Sequence, residues 1–339
     1  MLGNGMSRRI VLAGGSGFIG TFLQERLVAD GYEVVVLTRF PHDPDGRVRQ
    51  CRWDGQTLGD WTSELDGACA LINLSGRSVN CRYNERNRRD ILESRVNATR
   101  ILAEAVARSK DPPPVWLNAS TATIYKHTFE QPMDEATGVI EATPEAKDVF
   151  SIKVARAWEQ ALNEAPIPTT RKVAMRTAMV FAVNRGGVYR TLRSLARWGL
   201  GGPIAGGHQL ISWIHEDDFC RAVEWLIDHD DLGGPVNVAS PNPLPQRDMM
   251  RVILRERGMP FGLHATRWML EAAAYIHRTE AELILKSRYV VPAKLLESGF
   301  KFHFPRMEDA VHEIESRLHG KLSPRPQHSG SREPQSVDL

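Results

Sequence analysis

Three glycines at a fixed spacing, Gly14, Gly17 and Gly20, constrain this chain more than any other feature. They follow Ile10-Val11-Leu12-Ala13, a short apolar run of the kind that forms a fully buried strand. They open a stretch in which Ile19, Leu23 and Leu27 recur every four residues, with Phe18 and Phe22 beside them, the stripe of an amphipathic helix. A second strand, Tyr32–Leu37, completes a βαβ unit. Each glycine has a mechanical task there. Gly14 permits the tight strand-to-helix turn, Gly17 lets a pyrophosphate approach the backbone, and Gly20 lets the helix pack closely. The free N–H groups and positive dipole end of the helix then face the phosphates. The expected cradle is Gly14, Ser16, Gly17, Phe18, Ile19 and Gly20. A glycine-rich turn without a ligand is the competing reading, and the strand–helix–strand order speaks against it.

The 339 residues are enough for one large domain or two smaller ones, and 42% hydrophobic with 25% charged content is ordinary for a soluble globular chain. Forty-three Lys and Arg against 41 Asp and Glu leave a net charge of +2, which makes no case for a nucleic-acid partner. Cys51, Cys69, Cys81 and Cys220 are scattered without metal-ligand spacing, which argues against a disulfide framework or a metal site and fits a reducing compartment. No apolar run reaches membrane-spanning length. Ser7-Arg8-Arg9 mimics a twin-arginine export signal. The following run is needed as the first strand, however, and no small-residue cleavage site precedes Glu25, so a cytoplasmic protein is expected.

Further along, Arg49–Trp53 reads as a third strand and Ala68–Leu74 as a fourth, buried one. The arginine-rich segment Arg77–Arg89 leads into a helix with Ile91, Val96, Leu102 and Ala105 as its buried positions. Pro112-Pro113-Pro114 blocks further helix ahead of a fifth strand, Val115–Ala119. Lys126–Asp148 is polar and irregular, Phe150–Leu162 helical, and Lys172–Met175 a sixth strand. Gly199–Gly207 is too glycine-rich for regular structure and reads as a loop beside a pocket. Asp217–Asp230 is expected as a helix, Pro235–Val238 as a strand, and Phe261–Arg288 as mostly helical. Phe300–Phe304 precedes a last helix, Met307–Leu318. Apolar runs alternating with helical patterns predict an α/β fold with a doubly wound parallel sheet.

Dinucleotide enzymes that prefer NAD carry an Asp or Glu near the end of the second strand, gripping the ribose 2′-hydroxyl. Thr38 and Arg39 stand there instead. A carboxylate repels a 2′-phosphate, whereas an arginine pairs with it, so NADP(H) is favoured over NAD(H); a solvated Arg39 is the alternative. Trp53 and Asp54 are placed to hold the adenine edge, and Leu74-Ser75-Gly76, after Asn73, to lie along the middle of the cofactor. All fall at carboxyl ends of strands, where open α/β sheets bind ligands.

These residues resemble the extended branch of the short-chain dehydrogenase/reductase superfamily. Val96-Asn97-Ala98-Thr99-Arg100-Ile101-Leu102 is similar to its fourth-helix motif, Ser120-Thr121-Ala122-Thr123-Ile124-Tyr125 to its fifth-strand motif, and Ser212-Trp213-Ile214-His215-Glu216-Asp217-Asp218 to its late motif. Leu200-Gly201-Gly202-Pro203, Ser240-Pro241-Asn242-Pro243 and Pro292-Ala293-Lys294-Leu295-Leu296-Glu297-Ser298-Gly299-Phe300 add a narrower likeness to the bacterial epimerase-family, sugar-nucleotide-epimerase-like subfamily. The resemblance covers Arg8 to Arg317. It implies a Rossmann-type sheet with a smaller, mostly helical C-terminal substrate lobe. The expected divisions are a flexible leader at 1–7, a dinucleotide-binding domain at 8–184 with 215–239 packed on it, a substrate lobe from 185–214 and 240–320, and a disordered tail at 321–339, rich in Ser, Pro and Gln.

The superfamily's centre is a Ser or Thr, a Tyr and a Lys: the phenolate takes a hydroxyl proton while hydride moves to the nicotinamide. The resemblance matches Thr121 to the hydroxyl residue and Lys153 to the lysine. Where the tyrosine belongs, four residues before Lys153, stands Val149. Tyr125, Ser151, Tyr189 and His215 are candidate substitutes, Tyr125 foremost, each with a purely structural role as its competing reading. Asn97, Ala119, Ser120, Thr177 and Met179 are expected beside the cofactor, with Arg176–Val180 resembling the loop that meets the nicotinamide carboxamide.

Toward the substrate, Val188–Trp198 reads as a helix with Arg190, Arg193 and Arg197 on one face. That stripe is either a solvated surface or, with Arg77, His208 and Trp213, a wall facing an anionic small molecule. Two readings of function stay open: an NADP(H)-dependent oxidoreductase or epimerase, and an NADP(H)-binding regulator or scaffold that has lost turnover. Neither implies a membrane partner, and both admit a homodimer.

Overall fold

The computed structural model describes residues 8–42, 46, 48–184, 186–264 and 286–320. Six strands come first: β1 (Arg9–Ala13), β2 (Glu33–Thr38), β3 (Arg49–Arg52), β4 (Ala70–Asn73), β5 (Val115–Thr121) and β6 (Arg171–Thr177). Three short ones follow: β7 (Met179–Phe181), β8 (Leu210–Ile211) and β9 (Trp213–His215). β10 (Gly234–Val238) returns to the main sheet, and β11 (Leu244–Pro245) pairs with β8. The helices are α1 (Phe18–Ala29), α2 (Glu85–Arg108), α3 (Val149–Asn163), α4 (Val188–Arg197), α5 (Glu216–Asp228), α6 (Gln246–Glu256), α7 (Ala293–Glu297) and α8 (Met307–Leu318).

The main sheet is parallel throughout, in the order β10-β6-β5-β4-β1-β2-β3. Strand order reverses between β1 and β4, so a crevice opens at their carboxyl ends. Successive side chains point to opposite faces, and both faces are covered, which is why the strands are apolar runs rather than alternations. Ile10, Leu12, Val34 and Val36 pack with Leu23 and Leu27 of α1 and Phe219 and Val223 of α5. Val11, Ala13, Val35 and Leu37 pack with Leu102 and Val106 of α2. A third cluster joins Phe181, Tyr189, Trp213, Ile253, Val311 and Ile314 from the elements beyond the sheet.

The doubly wound parallel sheet is the expected one. Several boundaries shift. β2 starts at Glu33 rather than Tyr32, β4 is confined to Ala70–Asn73, and the arginine-rich segment is already helical from Glu85. β6 runs on to Thr177, because it pairs with β5 as far as Thr121. The short strands β7, β8, β9 and β11 are additions to the expected elements, since two or three residues carry no period to read, and the helix α6 is a further one. The leader and tail, and most of the expected helix at Phe261–Arg288, lie outside the described residues; its described ends, 261–264 and 286–288, are irregular.

Candidate functional site

The crevice is a cavity of about 620 Å³ over the first glycine turn. Gly14 has φ +74°, and a Cβ there would sit 2.9 Å from the Ser75 backbone, so β1 and β4 meet only because the residue is glycine. A Cβ on Gly20 would meet the Gly15 carbonyl at 2.1 Å, so the first turn of α1 is pressed onto the turn itself. Gly17 differs. It is the N-cap of α1 with extended backbone (φ −80°) and no side-chain cap, and its built Cβ meets nothing nearer than 3.4 Å. The first turn of α1 carries no acidic residue. Its uncapped N–H groups and dipole are therefore available to an anion.

At one end of the cavity, Thr38 donates to Ser16 Oγ (3.2 Å), and Arg39 is exposed beside the ring of Phe40. Trp53 packs on Trp61, and its Nε1 is buried with no hydrogen-bond partner among the described residues. Asp54 points back into its own turn, accepting from the Gln56 and Thr57 N–H groups and the Thr57 hydroxyl. Those hydrogen bonds hold its carboxyl below the ordinary range. At the centre lie Leu74, Ser75 and Gly76, and Ser75 Oγ is a second buried polar atom without a described partner. Two orphaned polar atoms on the wall of one cavity fit a bound polar ligand.

Beneath the floor, Asn73 donates to Asn118 Oδ1 (2.7 Å) and accepts from the Ser75 N–H (3.0 Å). Thr99 on α2 receives the Trp158 indole N–H (3.2 Å), tying α3 to α2. This polar layer fixes the turn after β4; the sequence reading named Asn73, Ser75 and Thr99 in their motifs but not the bonds that join them to Asn118 and Trp158. Asn97 lines the cavity one residue from Ala98, on the same wall as Ser94.

At the end of β5 the Thr121 Oγ1 accepts from the Thr123 N–H (3.1 Å), and Thr121 lies in register with Thr177. Lys153 is exposed one helical turn beyond Val149, which is itself 67% exposed, so both share an open face of α3. Ala119 is half-buried, while Ser120 turns away to donate to Glu159 (2.6 Å). Met179 is half-buried at the start of β7 and packs against the third cluster.

Several sequence expectations are corrected. Tyr125 is not at the cleft: its hydroxyl is in the interior, donating to Asn237 Oδ1 (2.9 Å) and accepting from Arg176 Nη1 (2.8 Å). Burial pushes its pKa up although Arg176 opposes the shift. Arg176 is in strand rather than loop, bidentate to Glu159 (2.9 and 2.8 Å). Of the proposed arginine wall, Arg193 is paired with Glu315 (2.7 Å), Arg190 donates to the Val183 carbonyl, and only Arg197 is exposed. Trp213 is fully buried with Nε1 bonded to the Asn242 carbonyl, and exposed His208 sits against Arg247 (3.3 Å). Arg77 does line the cavity, at its rim, held by Asp90 and Asn87. Tyr189 and His215 are also interior groups. Tyr189 donates to Glu315; His215 caps α5 through the Asp217 N–H and bonds Glu313.

Residues 10–239 match the model of the NAD dependent epimerase/dehydratase family, and residues 265–314 that of a domain of unknown function, DUF1731. The epimerase family protein SDR39U1 of Bos taurus is 30% identical over 310 residues, spanning 90% of this chain and 99% of its own. The epimerase family protein YfhF of Bacillus subtilis is 27% identical over 312 residues, with 90% and 97% covered. A crystal structure of the human epimerase family protein SDR39U1 (isoform 2) with NADPH superposes with a TM-score of 0.79 at 27% identity, covering 91% of this chain and all of that one. No helix among the described residues is long and apolar enough to cross a membrane.

Proposed function

Because the chain belongs to the NAD dependent epimerase/dehydratase family, we propose that it is an NADP(H)-dependent oxidoreductase or epimerase-like protein. Its substrate would carry the reacting hydroxyl or carbonyl on a small or nucleotide-linked molecule. The observation that carries this reading is the uncapped amino end of α1 opening on a cavity that has Arg39, and no carboxylate, at the end of β2. The NADPH of the human relative's structure agrees with it. When bound, the nicotinamide accepts or returns a hydride at C4.

The chain's own groups divide the remaining work. Gly17 and the first N–H groups of α1 receive the diphosphate, and Arg39 pairs with the 2′-phosphate. Trp53 Nε1 and Ser75 Oγ supply donors along the way. Lys153 holds the nicotinamide ribose from the open face of α3. Thr121 keeps its hydroxyl proton free, since its Oγ1 accepts from Thr123, and so donates to the substrate oxygen. Val149 exchanges no proton, and Tyr125, Tyr189 and His215 are tied to interior partners. That exposed apolar residue at the tyrosine's place favours a second reading: a protein that binds NADP(H) and reports it to a partner without turnover. A cytoplasmic site of action fits either.

Titrating the purified protein with NADPH should quench its tryptophan emission or blue-shift that of the cofactor, and silence in both ends the reading. With binding in hand, a metabolite screen for NADPH oxidation separates the two: consumption of cofactor with any hydroxyl or carbonyl compound supports the enzyme, and its absence across the screen supports the regulator.

A further inference from the structure

A second cavity, of about 570 Å³, opens in the elements beyond the sheet and shares no described lining residue with the cavity over the first glycine turn. Helix α6 forms one wall. Its Arg247, Arg251 and Arg255 all line the cavity. They recur every four residues, so they share one helical face in a row about 12 Å long. All three are exposed. Asp248 pairs with Arg251 (2.6 Å) and lies 3.9 Å from Arg247, while the Arg255 guanidinium has no partner among the described residues. One carboxylate beside three guanidiniums leaves the row positive. The other wall is backbone and apolar surface. Gly258, at φ +66°, ends α6, with the Met259 N–H on the Leu254 carbonyl (2.9 Å) and its own N–H on that of Arg255 (3.0 Å). The chain turns back there, and Met259, Pro260 and Phe261 line the cavity together with Leu254. Gly202 and Gly262 complete it. A Cβ on Gly202 would stand 2.4 Å from the Leu263 carbonyl oxygen, and one on Gly262 2.5 Å from the Gly202 nitrogen. The glycine-rich loop is thus pressed onto the chain after α6, and the Leu263 N–H bonded to the Gly199 carbonyl (2.6 Å) locks the two together.

The lining selects its ligand. Among the described residues no carboxylate lines this cavity, and no Ser, Thr, Tyr, Asn or Gln side chain does either. A sugar or a nucleobase brings hydroxyl and amide donors that would find no side-chain acceptor here except His264, and a polar group enclosed without a partner costs free energy. A hydrocarbon chain suits Leu254, Met259 and Phe261, and a carboxylate suits the guanidiniums, whose paired N–H groups match its two oxygens. The volume falls in the range of small-molecule sites. We infer that this cavity is a second ligand site that takes a free acyl anion. The α6 arginines hold the carboxylate, the unpaired Arg255 foremost, and the tail lies along the apolar wall. The site stands apart from the dinucleotide reading and does not depend on it.

Sodium decanoate below its micelle concentration is the probe. Calorimetric titration of the full chain should show decanoate binding, hexanoate binding several-fold more weakly, and decanol, which lacks the charge, giving no heat. Arg255 stands in the last turn of α6, where a cation also offsets the helix dipole, so its variant is judged by binding rather than by stability. Arg255→Gln should weaken decanoate about tenfold or more, with NADPH affinity unchanged. Phe261→Ser, also at an exposed position, should weaken decanoate more than hexanoate. Wild-type protein that gives no heat with decanoate, or binds decanol as tightly, overturns the inference. So does an Arg255→Gln protein that keeps wild-type affinity for decanoate or loses decanoate and NADPH in equal measure. Vesicles of phosphatidylglycerol separate a free ligand from a bilayer surface: protein that sediments with them yet ignores decanoate overturns the assignment as well.

Discussion

Gly17→Ala and Gly20→Ala separate a glycine kept for a ligand from one kept for the fold. At Gly20 the added methyl lands 2.1 Å from the Gly15 carbonyl, within the turn's own backbone. Alanine's better helix propensity returns about 1 kcal/mol, but the clash forces a backbone shift costing roughly 1–3 kcal/mol or more. The net expectation is a lower midpoint in urea. At Gly17 the backbone, at φ −80° and ψ 176°, suits alanine, and the nearest atom to the new methyl is 3.4 Å away. Stability should fall by about 1 kcal/mol at most, the cost of a poorer N-cap. The methyl then stands where the diphosphate must approach the helix N–H groups. Losing one charge-assisted hydrogen bond costs about 1.5–3 kcal/mol, or roughly 10- to 100-fold in affinity. Urea unfolding and NADPH calorimetry on both variants measure the two effects. A Gly17→Ala protein that binds NADPH within about twofold of wild type would refute the placement of the diphosphate at the α1 terminus.

Three further outcomes are expected. Arg39→Ala should weaken NADPH by about 10- to 100-fold while leaving NADH nearly unchanged, and parallel losses in a fluorescence titration argue against a 2′-phosphate contact. Tyr125→Phe strands Asn237 Oδ1 and Arg176 Nη1 in the interior, so it should lose about 1–3 kcal/mol in chemical unfolding yet bind cofactor normally; weakened binding in a protein of unchanged stability contradicts that interior role. Glu224 has its pKa pushed up to about 8 by burial and by Asp30, against the pull of Arg26. The folded chain therefore holds a proton that the unfolded one releases at the ordinary carboxylate pKa of 4.5. Stability should decline as pH rises from about 4.5 to 8, and Glu224→Gln should flatten that decline in melts across the range.

The glycine turn and the sheet were legible in the sequence because their determinants are local. Spacing of three residues, apolar runs of strand length and the four-residue repeat of α1 act within a few turns of chain. Residues lining the cavity at strand ends, such as Thr38, Trp53 and Ser75, follow from that same geometry. The spacing of four places Val149 and Lys153 on one helical face, but that this face is open, with an apolar residue on it, came only from the packing.

What the sequence by itself determined is thus the βαβ cradle, the parallel sheet it starts, and the lack of a carboxylate after β2. Tertiary structure alone decided which polar side chains are chemistry and which are scaffold. Tyr125 meets Asn237 across 112 positions, Arg193 meets Glu315 across 122, and His215 meets Glu313 across 98. Each of those groups could have faced a substrate, and each is held inside by a partner that only the closed fold brings near. Leaving water is costly for a polar side chain unless such a partner waits, and periodicity in a sequence carries no record of contacts made at that distance.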